Sequence, residues 1–388
     1  MIAPPTLDPL SRRDRFGSSR SLLDRLHPVR SGLIRRAVVA SAIAWLPAMI
    51  MVALHGQDYV KSFLSDFAAQ SRLLFLIPLL IVTEPLVVAQ LKTVAYHFVA
   101  AGLINKENLP RFQKQFAIFE QQGRSVIARV FIVVLIYTFA AYALSTIRQG
   151  HLQLPMWCYA GTAGSGLSNA ACWYIFAAVP FLLYLLLLWV WRQSLWGRFL
   201  WSVSHMDLRL VPAHPDLMGG LGFVQTYLRA YLPFGFAVGT IAGGGIANRV
   251  IHLHQPMLAF QHLALAVIAF VLVLCVGPLF AFFVLLVRTK TVGIFEYGTL
   301  GSGLGHQFET KWLGHDREVD ATILDKPDFS ATIDLYSVVA YVHQMNFLPV
   351  NLQYLLALTV ATLLPAIPIA LFSVPFDVLM ERTMKLVL

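Results

Sequence analysis

Seven stretches of this chain are apolar for long enough to cross about 30 Å of hydrocarbon. They cover residues 34–54, 73–91, 126–147, 173–191, 231–251, 262–287 and 351–374. No other feature limits the fold as tightly. Inside a bilayer each backbone N–H and C=O must find its partner within the protein, and no strong strand pattern is present. The expected fold class is therefore all-α: a polytopic membrane helix bundle of about seven spans. Charged residues make up only 13% of the chain and hydrophobic residues 57%. A soluble domain carries about 25% charged residues, so a soluble enzyme, a disordered chain and a fibrous one are excluded. No internal repeat is obvious, and seven spans do not divide into the paired halves of an inverted-repeat transporter.

The spans divide the chain into a basic arm (1–33), a bundle (34–374) and a short tail (375–388). Little periodicity marks the arm, which reads as flexible. Three longer segments, 92–125, 192–230 and 288–350, interrupt the bundle and are expected to form a small helical cap. Of the 29 lysines and arginines, 22 lie in these three segments or in the N-terminal part through Arg36; the alternate loops and the tail hold six. Basic residues are retained on the cytoplasmic side. That places the N-terminus and cap inside and the C-terminus outside, and it accounts for the net charge of +9 without a nucleic-acid partner. No cleavage pattern follows Leu54, so the first span reads as a retained anchor.

Glu84 is the acidic residue placed deepest in an apolar run, in LLIVTEPLVV. A carboxylate at mid-depth is costly unless protonated, paired or hydrated. Pro85 follows it and frees the carbonyl of Ile81, one turn back. Two readings stand: a polar point on an ion pathway, or a structural lock in which Glu84 pairs with Arg129 or bonds a neighbouring helix. Asn248 and Arg249 close the fifth span; Arg249 either snorkels to headgroups or rims an oligomeric pore. Gly235, Gly239 and Gly243 recur every four residues and mark a close-packing helix face, of the kind that also favours homo-oligomers.

HPDLMGGLG precedes the fifth span. His214, Asp216, Gly219, Gly220 and Gly222 fit a tight turn whose N–H groups either bond Asp216 or form an anion nest. Cys158 and Cys172 share one outer loop. They are expected either to close a 15-residue disulfide loop, worth about 3 kcal/mol in the chain-entropy model, or to stand as separate thiols. His252 and His254 lack supporting ligands, so no metal site is expected. No cofactor motif or catalytic constellation stands out, which makes an enzyme the weaker class.

TEPLV in the second span, HPDLMGGLGF before the fifth, IANR at its end, and EYGTL…FETKWL after the sixth occur together with LALTVATLLPAIPIALFSVP. This set resembles a family of bacterial integral membrane proteins without an established activity. The resemblance implies a bacterial inner-membrane location and assigns no catalytic residue. The family's turn carries a basic residue after HPD, where this chain has Leu217. The leading expectation for function is an oligomeric channel or transporter for a small ion. The alternative is a non-transporting scaffold or sensor whose helical cap recruits a protein partner. An enzyme acting on membrane lipids ranks third.

Overall fold

The computed structural model describes residues 19–149, 154–160, 166–313 and 328–373. The first half of the arm, His151, the charged break at 314–327 and the tail at 375–388 lie outside them. Seven helices among the described residues are long and apolar enough to cross a membrane: Gly32–Ala53, Phe67–Ala100, Val126–Arg148, Asn169–Ser204, Val224–Leu253, Met257–Trp312 and Leu352–Leu371. Each overlies its expected apolar stretch. The chain is an all-α polytopic bundle, and the only β features described are two isolated bridges. Its outer surface is oily: the third span exposes Ile127, Phe131, Val134 and Phe139, where a soluble protein would carry charge. This is a membrane protein's surface.

In chain order the helices are α1 (Ser19–Ala53), α2 (Gln57–Leu64), α3 (Phe67–Gln70), α4 (Ile77–Ala100), α5 (Leu109–Gly123), α6 (Val126–Arg148), α7 (Asn169–Trp173), α8 (Val179–Ser204), α9 (Leu232–Leu253), α10 (Gln261–Val276), α11 (Phe283–Trp312), α12 (Asp328–Gln344), α13 (Leu352–Leu363) and α14 (Ile367–Ser373). Residues 19–33, read from sequence as irregular, extend α1. A helix already nucleated in the span propagates cheaply past it. The bundle end that carries the arm is called the arm end here, and its opposite the far end.

Prolines shape the spans, and polar side chains answer the carbonyls they free. Pro180 cannot bond Phe176 O, which instead accepts from the Tyr137 hydroxyl of α6 at 3.2 Å. Pro278 likewise releases Leu274 O. Gln193 Nε2 donates to it and to Cys275 O, both at 3.1 Å, and the Tyr227 hydroxyl also donates to Cys275 O. Wide π turns occupy Ser71–Leu76 in the second span and Tyr174–Ala178 in the fourth.

The glycine face of α9 is consumed within the chain. A Cβ on Gly235 would lie 2.8 Å from Thr362 Oγ1, and one on Gly239 only 1.9 Å from the Thr362 carbonyl oxygen. Gly243 faces Pro365. These residues let the seventh span approach the fifth; they face this chain and not a second copy. Gly244, outside the stripe, gives the same close approach to Ala68 and Ser71.

At the arm end α5 packs Phe112 and Phe116 into the core, against Phe199 of α8 at 5.5 and 5.8 Å, and Lys92 pairs with Glu120 at 2.5 Å. Of the three longer segments, 92–125 contains α5, and 288–350 contributes to a hairpin of α11 and α12. Glycines let its helices approach: Gly293 faces Val342 as well as Pro212, Gly301 faces Val339 and Gly305 faces Tyr336.

The HPDLMGGLG turn binds its own anion. Asp216 Oδ1 accepts from Met218 N at 2.8 Å and Gly220 N at 3.1 Å, and Oδ2 from Gly222 N at 2.8 Å. His214 Nδ1 lies 2.8 Å from Oδ1. Leu217, Gly219 and Gly220 all take positive φ to aim these groups. Asp216 thus occupies the N–H groups of Met218, Gly220 and Gly222 that an external anion would need. Three bonds to a charged acceptor make Asp216→Ala costly, on the order of 3 kcal/mol. A thermal melt in detergent checks this; an unchanged midpoint would refute the assignment.

Candidate functional site

Span two runs unbroken from Phe67 to Ala100, and Glu84 stands at its middle. Its partner is Arg192: Nη2 donates to Glu84 Oε1 at 2.6 Å. Arg129, the partner weighed from sequence, is exposed on α6 and makes no salt bridge among the described residues. Arg192 was read as the first residue of a basic segment beyond the fourth span. The helix does not end there. It continues to Ser204, so Arg192 lies within the bundle. An arginine on a helix leans toward the N-terminal end, which carries its guanidinium back toward Glu84.

The pair is unevenly covered. The Arg192 side chain is 15% exposed and that of Glu84 39%. Arg192 Nη1 is buried with no hydrogen-bond partner, and so are Gln193 Oε1, Trp196 Nε1 and the Tyr231 hydroxyl. Four orphaned polar atoms fall on two neighbouring stretches, one turn of α8 and the start of span five. Buried polar groups are normally satisfied, and in hydrocarbon each one left over costs more. Three of the four sites supply donors and one supplies an acceptor. With Glu84 set aside, the junction is positive and donor-rich.

Aromatic rings wall it on the core side. Trp196 meets Tyr227 at 5.7 Å, Tyr227 meets Tyr231 at 5.9 Å, and Tyr231 meets Trp189 edge-on at 5.7 Å. Gln193 and Tyr227 are fixed by the carbonyls around Pro278, so that wall is preorganised. Toward the far end Ile77, Leu80, Ala178 and Leu182 are fully buried in the same core cluster. They form an apolar layer between this junction and a second one.

The second junction centres on Asp66, in the short polar segment before span two. It is only 7% exposed. Its carboxylate caps α3 through Ala69 N at 3.0 Å, and accepts from Asn248 Nδ2 at 2.8 Å and Trp157 Nε1 at 3.1 Å. The signal for it was the S-D-F-A-A step into span two, an N-cap pattern. Asn248 thus belongs with Asp66, whereas the Arg249 guanidinium sits 5.9 Å over the Phe260 ring on an exposed face. Glu84 and Pro85 share one site; Arg129, Asn248 and Arg249 do not join it.

Cys158 and Cys172 are both free thiols. Burial, with Asp66 nearby, pushes the Cys158 thiol far above its ordinary range. A raised thiol pKa means less thiolate at pH 8, so maleimide should label at most Cys172 in folded protein, with or without reductant. Two labels per folded chain would contradict this. His252 Nε2 lies 3.0 Å from Ser65 O, and no group of three metal-ligating residues occurs among the described residues. Comparison with family models, curated proteins and solved structures gave no match.

Proposed function

We propose that this membrane protein moves a small anion together with a proton, using Glu84 and Arg192 as its exchange point. One observation carries the reading: a partly exposed carboxylate pairs with an arginine whose other terminal nitrogen is buried and unpartnered, and that arginine lies within electrostatic reach of the Tyr231 hydroxyl, itself buried and unpartnered. While Glu84 is ionised it satisfies Arg192. When Glu84 takes a proton, its charge is lost and Arg192 must find another anion. Arg192 and Tyr231 then offer N–H and O–H donors to it. A proton on Glu84 and an anion on Arg192 leave the junction's net charge unchanged, which keeps the low-dielectric cost of occupancy small. The apolar layer toward the Asp66 junction would close the path on that side, so movement requires spans two and four to part there.

The orientation follows from the charge bias: arm and cap in the cytoplasm, and the far end outside. The sequence resemblance supports a bacterial inner membrane as the protein's location. Purified protein in liposomes should take up chloride, formate or phosphate down a gradient, and Arg192→Gln should not. A panel that shows no uptake of any anion would reject the reading.

A second reading rests on the α11–α12 hairpin, which exposes Phe295, Leu300 and Ile333. It is a scaffold that recruits a protein through this surface. It predicts no flux, and a partner that is lost when Phe295 and Ile333 are changed to Ser.

A further inference from the structure

A cavity of about 280 Å³ lies at the far end between spans two, three and four. Its walls are mainly apolar, with Phe139, Ile175 and Leu183 among them. Its polar lining is Asp66, Arg72, Tyr174 and Asn248. It lies beyond the apolar layer from the Glu84 junction, and neither Glu84 nor Arg192 lines it.

The two π turns build it. Arg72 lies in the turn Ser71–Leu76 and Tyr174 opens the turn Tyr174–Ala178. Arg72 Nη1 donates to the Tyr174 hydroxyl oxygen at 3.0 Å across the gap. Single π turns inside α-helices recur at functional sites because they widen the helix and redirect side chains.

The charges in the cavity are not equally satisfied. Asp66 receives three donors, from Ala69, Asn248 and Trp157. Arg72 has a single neutral hydrogen-bond partner and no salt bridge among the described residues. A guanidinium carries five N–H donors, and the Asp66 carboxylate that shares the cavity makes no ion pair with it, so most of its hydrogen-bonding capacity is open to a further acceptor. The Tyr174 hydroxyl accepts from Arg72 and keeps its own proton to donate. Two adjacent donors, one of them charged, therefore line an apolar cavity bordered by α6, the span whose outer face is bare to lipid.

We infer that this cavity binds an anionic amphiphile. A carboxylate or phosphate head would sit on Arg72 and the Tyr174 hydroxyl, with the first part of an acyl chain along Phe139, Ile175 and Leu183. Asp66, held in place by its own donors, repels the head from the inner wall and keeps it on the Arg72 side.

Native mass spectrometry of the detergent-purified chain tests this with four probes: dodecanoic acid, its methyl ester, phosphatidylglycerol and phosphatidylcholine. The wild type should retain the acid at least ten-fold better than the ester, or phosphatidylglycerol ten-fold better than phosphatidylcholine. Whichever pair shows the preference identifies the source of the head. Arg72→Gln should erase the preference and Arg72→Lys keep part of it. Equal retention of the charged and neutral member of both pairs by the wild type would overturn the inference, and that comparison needs no variant to fold. Full preference in a folded Arg72→Gln protein would overturn it as well.

Discussion

Glu84→Gln is expected to reduce net anion uptake more than ten-fold and to remove its dependence on a proton gradient. The variant keeps the size of the side chain and fixes it in the neutral form. Arg192 then holds an anion in one state and has nothing to hand it to, so binding survives and turnover does not. The same variant should lose stability, because it leaves Arg192 without a counter-charge. Removing one member of a fully buried pair costs about 3–5 kcal/mol. Glu84 retains 39% exposure, so a smaller penalty on the order of 2 kcal/mol is expected. Arg192→Gln should cost a similar amount, and the double variant Glu84→Gln/Arg192→Gln should recover much of it without recovering uptake. A double-mutant cycle on thermal midpoints, run beside uptake, separates the two roles. Additive losses in the cycle would mean that the two residues are not coupled. Uptake at the wild-type rate in Glu84→Gln would remove the carboxylate from the mechanism.

Gly239→Ala is expected to be the most destabilising single methyl in the bundle. The new Cβ would lie 1.9 Å from the Thr362 carbonyl oxygen, and that atom belongs to the backbone of a helix. No rotamer change relieves such an overlap, so α13 must move away from α9. Overpacking of a tight core costs typically 1–3 kcal/mol and occasionally more, and this contact falls at the upper end, about 3 kcal/mol. Gly245→Ala is the matched control: nothing lies within 4 Å of its Cβ, and the better helix propensity should gain up to about 1 kcal/mol. Equal melting of the wild type and Gly239→Ala would show that the fifth and seventh spans do not pack as described.

Much of this architecture is readable from sequence because hydrocarbon leaves the chain few options. Span length and helical state follow from the bilayer's thickness and its lack of water, and all seven helices fall where the apolar runs lie. Glu84 was legible for the same reason: a carboxylate in an oily run stands out. Its partner was not. Arg192 ends an apolar run, and counting charges by loop assigns any such arginine to water. Helix length past the last apolar residue is set by packing against α5 and the segment around Pro278, which no local pattern shows.

Asp66 was hidden in the same way, since a short polar segment before a span reads as interface. The glycine face of α9 was legible as a close-packing face, yet sequence spacing carries no record of whether the helix that meets it is α13 or another copy. The π turns that hold Arg72 and Tyr174 left no readable pattern. The second precedes Pro180, and its Phe176 carbonyl is answered by Tyr137 from another helix, a partner no local pattern shows.

The central claim is that a proton and an anion travel together through the Glu84–Arg192 junction. The most direct measurement follows the pH inside liposomes that hold the wild-type protein, while an inward chloride, formate or phosphate gradient is the only driving force. The account predicts internal acidification that tracks anion entry and stops in Arg192→Gln. Anion entry with no change in internal pH, or no anion entry at all, would contradict it.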